Sequence, residues 1–111
     1  MAYHSYQPST TSLVTTIEGR FDADLAAQVT ATWAADGRVR HIIVDLSDVT
    51  LLDSSGLAAL VNGQGIARER EGELIIASPS EAAGTILALT GLDRTFEIVP
   101  SIADALARIG L

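Results

Sequence analysis

The chain of 111 residues has no cysteine, which excludes disulfides, thiolate metal ligands and a cysteine nucleophile. Aromatic residues make up only 5%, so a core has to be built from Leu, Ile, Val and Ala, within a hydrophobic share of 48%. Bases are few, 7 against 14 acids, and the formal charge of -7 argues against nucleic acid and anionic membranes, both of which attract basic surfaces. No apolar run approaches the roughly 18 residues of a membrane span, and no basic start leads into an apolar leader segment. A soluble cytoplasmic protein whose partner is a protein or a small ligand is the expectation.

What is present fits one small α/β domain over 1–111, since a chain of this length supports a single core. "AYHSYQPSTTSLVTTIEG" has Tyr3 and Tyr6 before Pro8, and Leu13, Val14 and Ile17 among threonines after it, as in two short strands around a turn. In "FDADLAAQVTATWAADG" the period changes. Leu25, Val29 and Trp33 lie four apart, with Asp22 or Asp24 as cap and Gly37 as stop, which predicts a helix with Trp33 facing inward.

"HIIVDL", residues 41–46, is a β-branched run suited to a strand covered on both faces. A helix over 57–71 follows, weakened by Gly63 and Gly65 and ending in the mixed charges of "ARERE", a solvated face. "ELIIAS" reads as a strand, then "SEAAGTILALTGL" as a helix capped by Ser80, with Ile86, Leu87 and Leu89 as apolar contacts and Gly91 as its stop. "FEIV" reads as the last strand. In "SIADALARIG", Ser101 and Asp104 form a capping box, and Ile102, Ala105, Leu106 and Ile109 fall at i, i+3, i+4 and i+7. Strands alternating with helices imply crossovers and parallel pairs.

The most informative stretch is "VTLLDSSGLAAL", residues 49–60, where Asp53, Ser54 and Ser55 sit between two apolar segments. Asp and Ser oxygens accept bonds from the free N–H groups of a helix entrance, yet one such residue suffices for one or two donors. A serine hydroxyl there is also open to modification. A phosphoserine carries about -1.5 to -2 charges. Placed roughly 6 Å from the Asp53 carboxylate in water, it is repelled by about 1.4 kcal/mol. The helix dipole returns about 0.3 to 1 kcal/mol. The fold tolerates such a group, whereas a partner's surface pressed against it does not.

Catalytic readings fail on spacing. The nucleophile elbow needs glycine two residues before the serine, and Leu52 occupies that place relative to Ser54. His41 opens a buried-looking strand and His4 lies near the terminus, so neither is poised as a base, and two distant histidines make no metal site. "GQGIAR" is not a dinucleotide fingerprint and no P-loop occurs. No catalytic residue, metal or cofactor is expected.

"HIIVDLSDVTLLDSSGLAAL", "GELIIASPSEAAGTILALTGLDRTFEIV" and the upstream "IEGRFDADLAAQV" together resemble the STAS domain, and in particular the bacterial anti-sigma factor antagonists. The likeness runs from about residue 12 to residue 109 and is weak over 1–10. It implies a mixed four- to five-stranded sheet with helices packed mainly on one side. It also implies binding to an anti-sigma factor that is a serine kinase, release of the sigma factor, inactivation by phosphorylation of Ser54, and reversal by a phosphatase. ATP and magnesium belong to the kinase in that scheme. Asp22, Asp53, Ser54, Ser55, Gly56 and Leu57 are then the partner-binding residues. The same family also supplies subunits that stabilise a transporter ATPase, and modules that sense small ligands.

Overall fold

The computed structural model describes residues 2–111. Five strands, Tyr3–Ser9 (β1), Ser12–Phe21 (β2), His41–Leu52 (β3), Glu73–Ala77 (β4) and Glu97–Val99 (β5), form one sheet in the order of the chain. The helices are Ala23–Ala35 (α1), Ser54–Glu69 (α2), Glu81–Leu89 (α3) and Ile102–Arg108 (α4), with a single 3-10 turn at Leu92–Arg94. β1 and β2 are antiparallel; β2, β3, β4 and β5 run parallel, each pair joined by a helix. The alternation read from the sequence thus produces the expected mixed sheet.

Burial explains the layering. α1, α2 and α3 contribute Leu25, Val29, Trp33, Leu60, Ala67 and Leu87 to a core with Ile17, Phe21, Ile42, Val44 and Ile76 from one sheet face. Each large side chain so buried contributes about 1.5–3 kcal/mol. The other face is closed by α4 alone, through Ala105 on Val14, Ile43, Ile75 and Val99. β3 is buried on both faces from Ile42 to Leu46, which accounts for its continuous apolar run.

Several boundaries and roles differ from the sequence reading. β3 does not stop at Leu46 but continues to Leu52, because register shifts against β2 after Thr16 and after Gly19 carry the pairing past the polar Ser47 and Asp48. Gly19 has φ +75°, a left-handed backbone that glycine adopts without strain. Phe21 ends β2, and of the two candidate caps it is Asp22 that precedes α1. Pro8 lies within β1, an edge strand, where the register shifts between Tyr6 and Ser9. Leu89 is no core contact: it is 77% exposed, while Leu87 is buried.

Two of the corrections concern α2. Gly63 is more than a weak point of the helix: it makes room for the indole of Trp33, since a Cβ there would lie 2.6 Å from Trp33 Cζ3 and 2.7 Å from a Leu74 methyl. Nor is Arg70, in "ARERE", part of a merely solvated face. Its guanidinium donates to the carbonyls of Trp33, Ala34, Asp36 and Val39 at 2.7–3.2 Å, satisfying acceptors that the end of α1 leaves free.

His41 lies at the opposite end of β3 from Asp53, and its Nδ1 is buried with no hydrogen-bond partner among the described residues. Burial, reinforced by Arg40, holds the imidazole below its ordinary value of 6.5 against the smaller opposing pull of Glu73. The folded state resists the proton and the unfolded chain takes it up more readily, so stability should fall as pH drops below about 6.5. Urea unfolding of the wild type and His41→Gln at pH 7 and pH 5.5 checks this, the wild type losing more; equal losses would contradict it.

Candidate functional site

β2 and β3 pair side by side up to Phe21 and Leu52, so Asp22 and Asp53 leave the sheet as neighbours in register. Each is an extended residue that caps the helix it precedes. Asp22 Oδ1 accepts from Leu25 N–H at 3.2 Å. Asp53 Oδ1 accepts from both Ser55 N–H at 2.9 Å and Gly56 N–H at 3.0 Å, and its carbonyl accepts from Leu57 N–H at 3.0 Å. The helix entrances of α1 and α2 therefore open on the same edge of the sheet.

The division of labour within "DSSG" follows from these bonds. Asp53 alone supplies the cap, so helix capping does not account for Ser54. Ser54 is the first residue of α2 and is exposed, and its hydroxyl makes no hydrogen bond among the described residues. Ser55 is half-buried. Gly56 is fixed by contact: a Cβ would stand 2.5 Å from the Phe21 carbonyl oxygen and 2.8 Å from a Leu52 methyl, so glycine allows α2 to start close to the sheet. Leu57 is half-buried against the core. All six residues named from the sequence thus lie on consecutive turns and loops at one end of the molecule.

The cap has a measurable consequence. Asp53→Ala should lower stability by about 1 kcal/mol, the usual worth of an N-cap, with a correspondingly lower urea midpoint. An unchanged midpoint would show that the two N–H groups find other acceptors.

The sequence gives no sign of what surrounds the loop. A groove of about 580 Å³ runs between the end of β3 and α3, lined by Thr50, Leu51, Leu52, Glu81, Thr85 and Ile86. A second, of about 370 Å³, lies between α1 and α2 and includes Ser55, Ala58 and Asn62. Ser80 holds the first groove's wall: its Oγ accepts from Ala83 N–H at 3.1 Å and donates to the Val49 carbonyl at 2.7 Å, while its own N–H donates to the Leu46 carbonyl. Ser80 was readable as a cap, but its bond to β3 spans 31 residues and has no local signature. No group of His, Asp or Glu residues suited to a metal ion occurs among the described residues. No described helix is long and apolar enough to cross a membrane.

The mixed sheet, covered by three helices on one face and one on the other, with an exposed hydroxyl at a capped helix start, defines a small α/β domain. The chain belongs to the STAS domain family, whose family model matches residues 8–105. A proposed anti-sigma factor antagonist of Thermotoga neapolitana is 34% identical over 68 residues, which span 61% of this chain and 60% of that protein, less than two thirds of its length. Among solved structures, the anti-sigma factor antagonist SpoIIAA in its unphosphorylated form superimposes with a TM-score of 0.88 at 19% identity, covering 97% of this chain and 96% of that one. The phosphorylated form of SpoIIAA, a Bacillus cell fate determinant, gives a TM-score of 0.80 at 20% identity, covering 97% and 99%. At these identities the likeness is one of fold.

Proposed function

We propose that the chain is an anti-sigma factor antagonist that binds an anti-sigma factor serine kinase, frees the sigma factor, and is switched off by phosphorylation of Ser54. It acts as a binding protein rather than an enzyme. The observation that carries this reading is the Ser54 hydroxyl, exposed and unengaged at the first residue of α2 while Asp53 does the capping. The neighbouring Asp22, Asp53, Ser55, Gly56 and Leu57 complete the docking surface. That SpoIIAA keeps this fold in both its unphosphorylated and phosphorylated forms supports a switch that acts on association and not on folding.

The chemistry is that of an added dianion. In the unmodified chain a neutral hydroxyl meets the partner. The kinase, using its own ATP and magnesium, transfers a phosphoryl group to Ser54 Oγ, and the hydroxyl proton leaves. A phosphatase restores the hydroxyl.

Affinity capture from native extract with the wild type and with Ser54→Ala tests the reading. A soluble histidine-kinase-like ATPase held by both baits, and released from the wild type alone on adding ATP, is the expected result. An ABC-type transporter complex on the beads would replace this reading with that of a transporter subunit.

A further inference from the structure

The groove between the end of β3 and α3 is apolar on its floor and open to solvent. Leu51 projects into it 46% exposed, Leu52 and Ile86 form the base, and α3 has no charged residue after Glu81. An exposed leucine beside an uncharged helix face marks a contact surface when something covers it.

Charge says what kind of partner does so. The end of the sheet where α1, α2 and α3 begin carries Glu18, Asp22, Asp24, Asp48, Asp53 and Glu81, with Arg20 as the single arginine among the described residues there. At the opposite end Arg38, Arg40, Arg68, Arg70, Arg94 and Arg108 stand among Asp36, Glu69, Glu71, Glu73, Asp93 and Glu97. Those charges balance, and two of the pairs, Arg38 with Asp36 and Arg108 with Glu97, are in contact at 3.1 Å. Six acids against one arginine leave a net charge of -5 at the Ser54 end, out of -7 for the chain, Asp45 and Asp104 supplying the other two.

We propose that the groove between the end of β3 and α3 receives a basic segment of the protein partner, an apolar side chain seated on Leu51, Leu52 and Ile86 and flanked by arginines or lysines that meet Glu81 in the groove lining and the net negative charge of this end of the sheet. The identity of that partner rests on the antagonist reading; its chemistry rests on the groove and the charge. A second copy of this chain is a poor occupant, because two like-charged ends repel by several kcal/mol. The same acidic end steers a basic partner and repels an acidic one, so association is fast and sensitive to salt.

The test uses the full chain, labelled with 15N, and two synthetic amphipathic helices with leucines at i, i+3, i+4 and i+7, one bearing arginine on its polar face and the other glutamate. The arginine peptide is expected to shift the amides of Leu51, Leu52, Ala82, Thr85 and Ile86. It should bind about tenfold or more tightly than the glutamate peptide, and lose affinity from about 50 to about 200 mM salt as the Debye length shortens. Leu51→Ser should remove the shifts without lowering the melting temperature. Equal binding of the two peptides, shifts scattered over acids away from the groove, or an indifferent Leu51→Ser would each overturn the proposal. Groove binding with no phosphate accepted at Ser54 leaves this inference standing and removes the antagonist reading; phosphorylation without groove binding does the reverse.

Discussion

Phosphate on Ser54 is expected to weaken the proposed complex with an anti-sigma kinase more than 100-fold while leaving the domain folded. Two magnitudes decide this. Within the domain, repulsion from the Asp53 carboxylate is about 1.4 kcal/mol at roughly 6 Å in water. The start of α2 offsets about 0.3 to 1 kcal/mol of that through its dipole. Asp53 has its Oδ1 committed to Ser55 and Gly56 N–H groups, so the cap has no reason to open. At the interface the same dianion is desolvated against a surface shaped for a hydroxyl, at a cost of several kcal/mol, and about 3 kcal/mol already exceeds 100-fold in affinity. Calorimetric titration of the kinase with modified and unmodified chain reads the first quantity, and circular dichroism melting of the modified chain the second. Ser54→Asp supplies one charge instead of two and should fall between them. A modified chain that melts many degrees lower, or binds undiminished, would place the switch elsewhere.

Gly63→Ala should lower stability by about 1–3 kcal/mol, the range for an overpacked core, although alanine improves helix propensity by up to about 1 kcal/mol. The new methyl would meet the Trp33 ring and Leu74 well inside contact distance. Trp33 cannot yield easily: it is fully buried and its Nε1–H donates to Thr15 Oγ1 at 3.1 Å. Two residues on, Gly65 faces open space, so Gly65→Ala should raise stability by about 0.5–1 kcal/mol. Thermal unfolding of the pair reads a midpoint shift down for one and up for the other. Shifts of the same sign would refute the packing account.

These glycines also mark the limit of what the sequence discloses. Both look alike on the chain, as helix-weakening residues, and only the fold sets one against an indole thirty residues away and leaves the other bare. The helices with local signals, caps at Asp22, Ser80 and Ser101 and stops at Gly91, were legible because those signals lie within a turn of what they control. The upper half of β3 was not, because Ser47, Asp48 and Thr50 interrupt its apolar pattern and the register shifts that accommodate them are a property of the pair β2–β3. Arg70 reads as one charge among several until α1 presents its last carbonyls to it.

The candidate site divides in the same way. "DSSGL" is contiguous, so its place at a helix start could be read directly, and Asp22 joins it because Phe21 and Leu52 are register partners. Which of Asp53 and Ser54 does the capping needed the hydrogen bonds. The groove is assembled from β3 and α3 and leaves no local trace beyond the adjacent leucines at 51 and 52.

Mapping the phosphate by tandem mass spectrometry, after incubating the wild type and Ser54→Ala with the captured kinase and ATP, tests the central claim most directly. A single phosphate on Ser54 in the wild type, and none in the variant, is the predicted result. Phosphate on another residue, or equal incorporation into both chains, would contradict it.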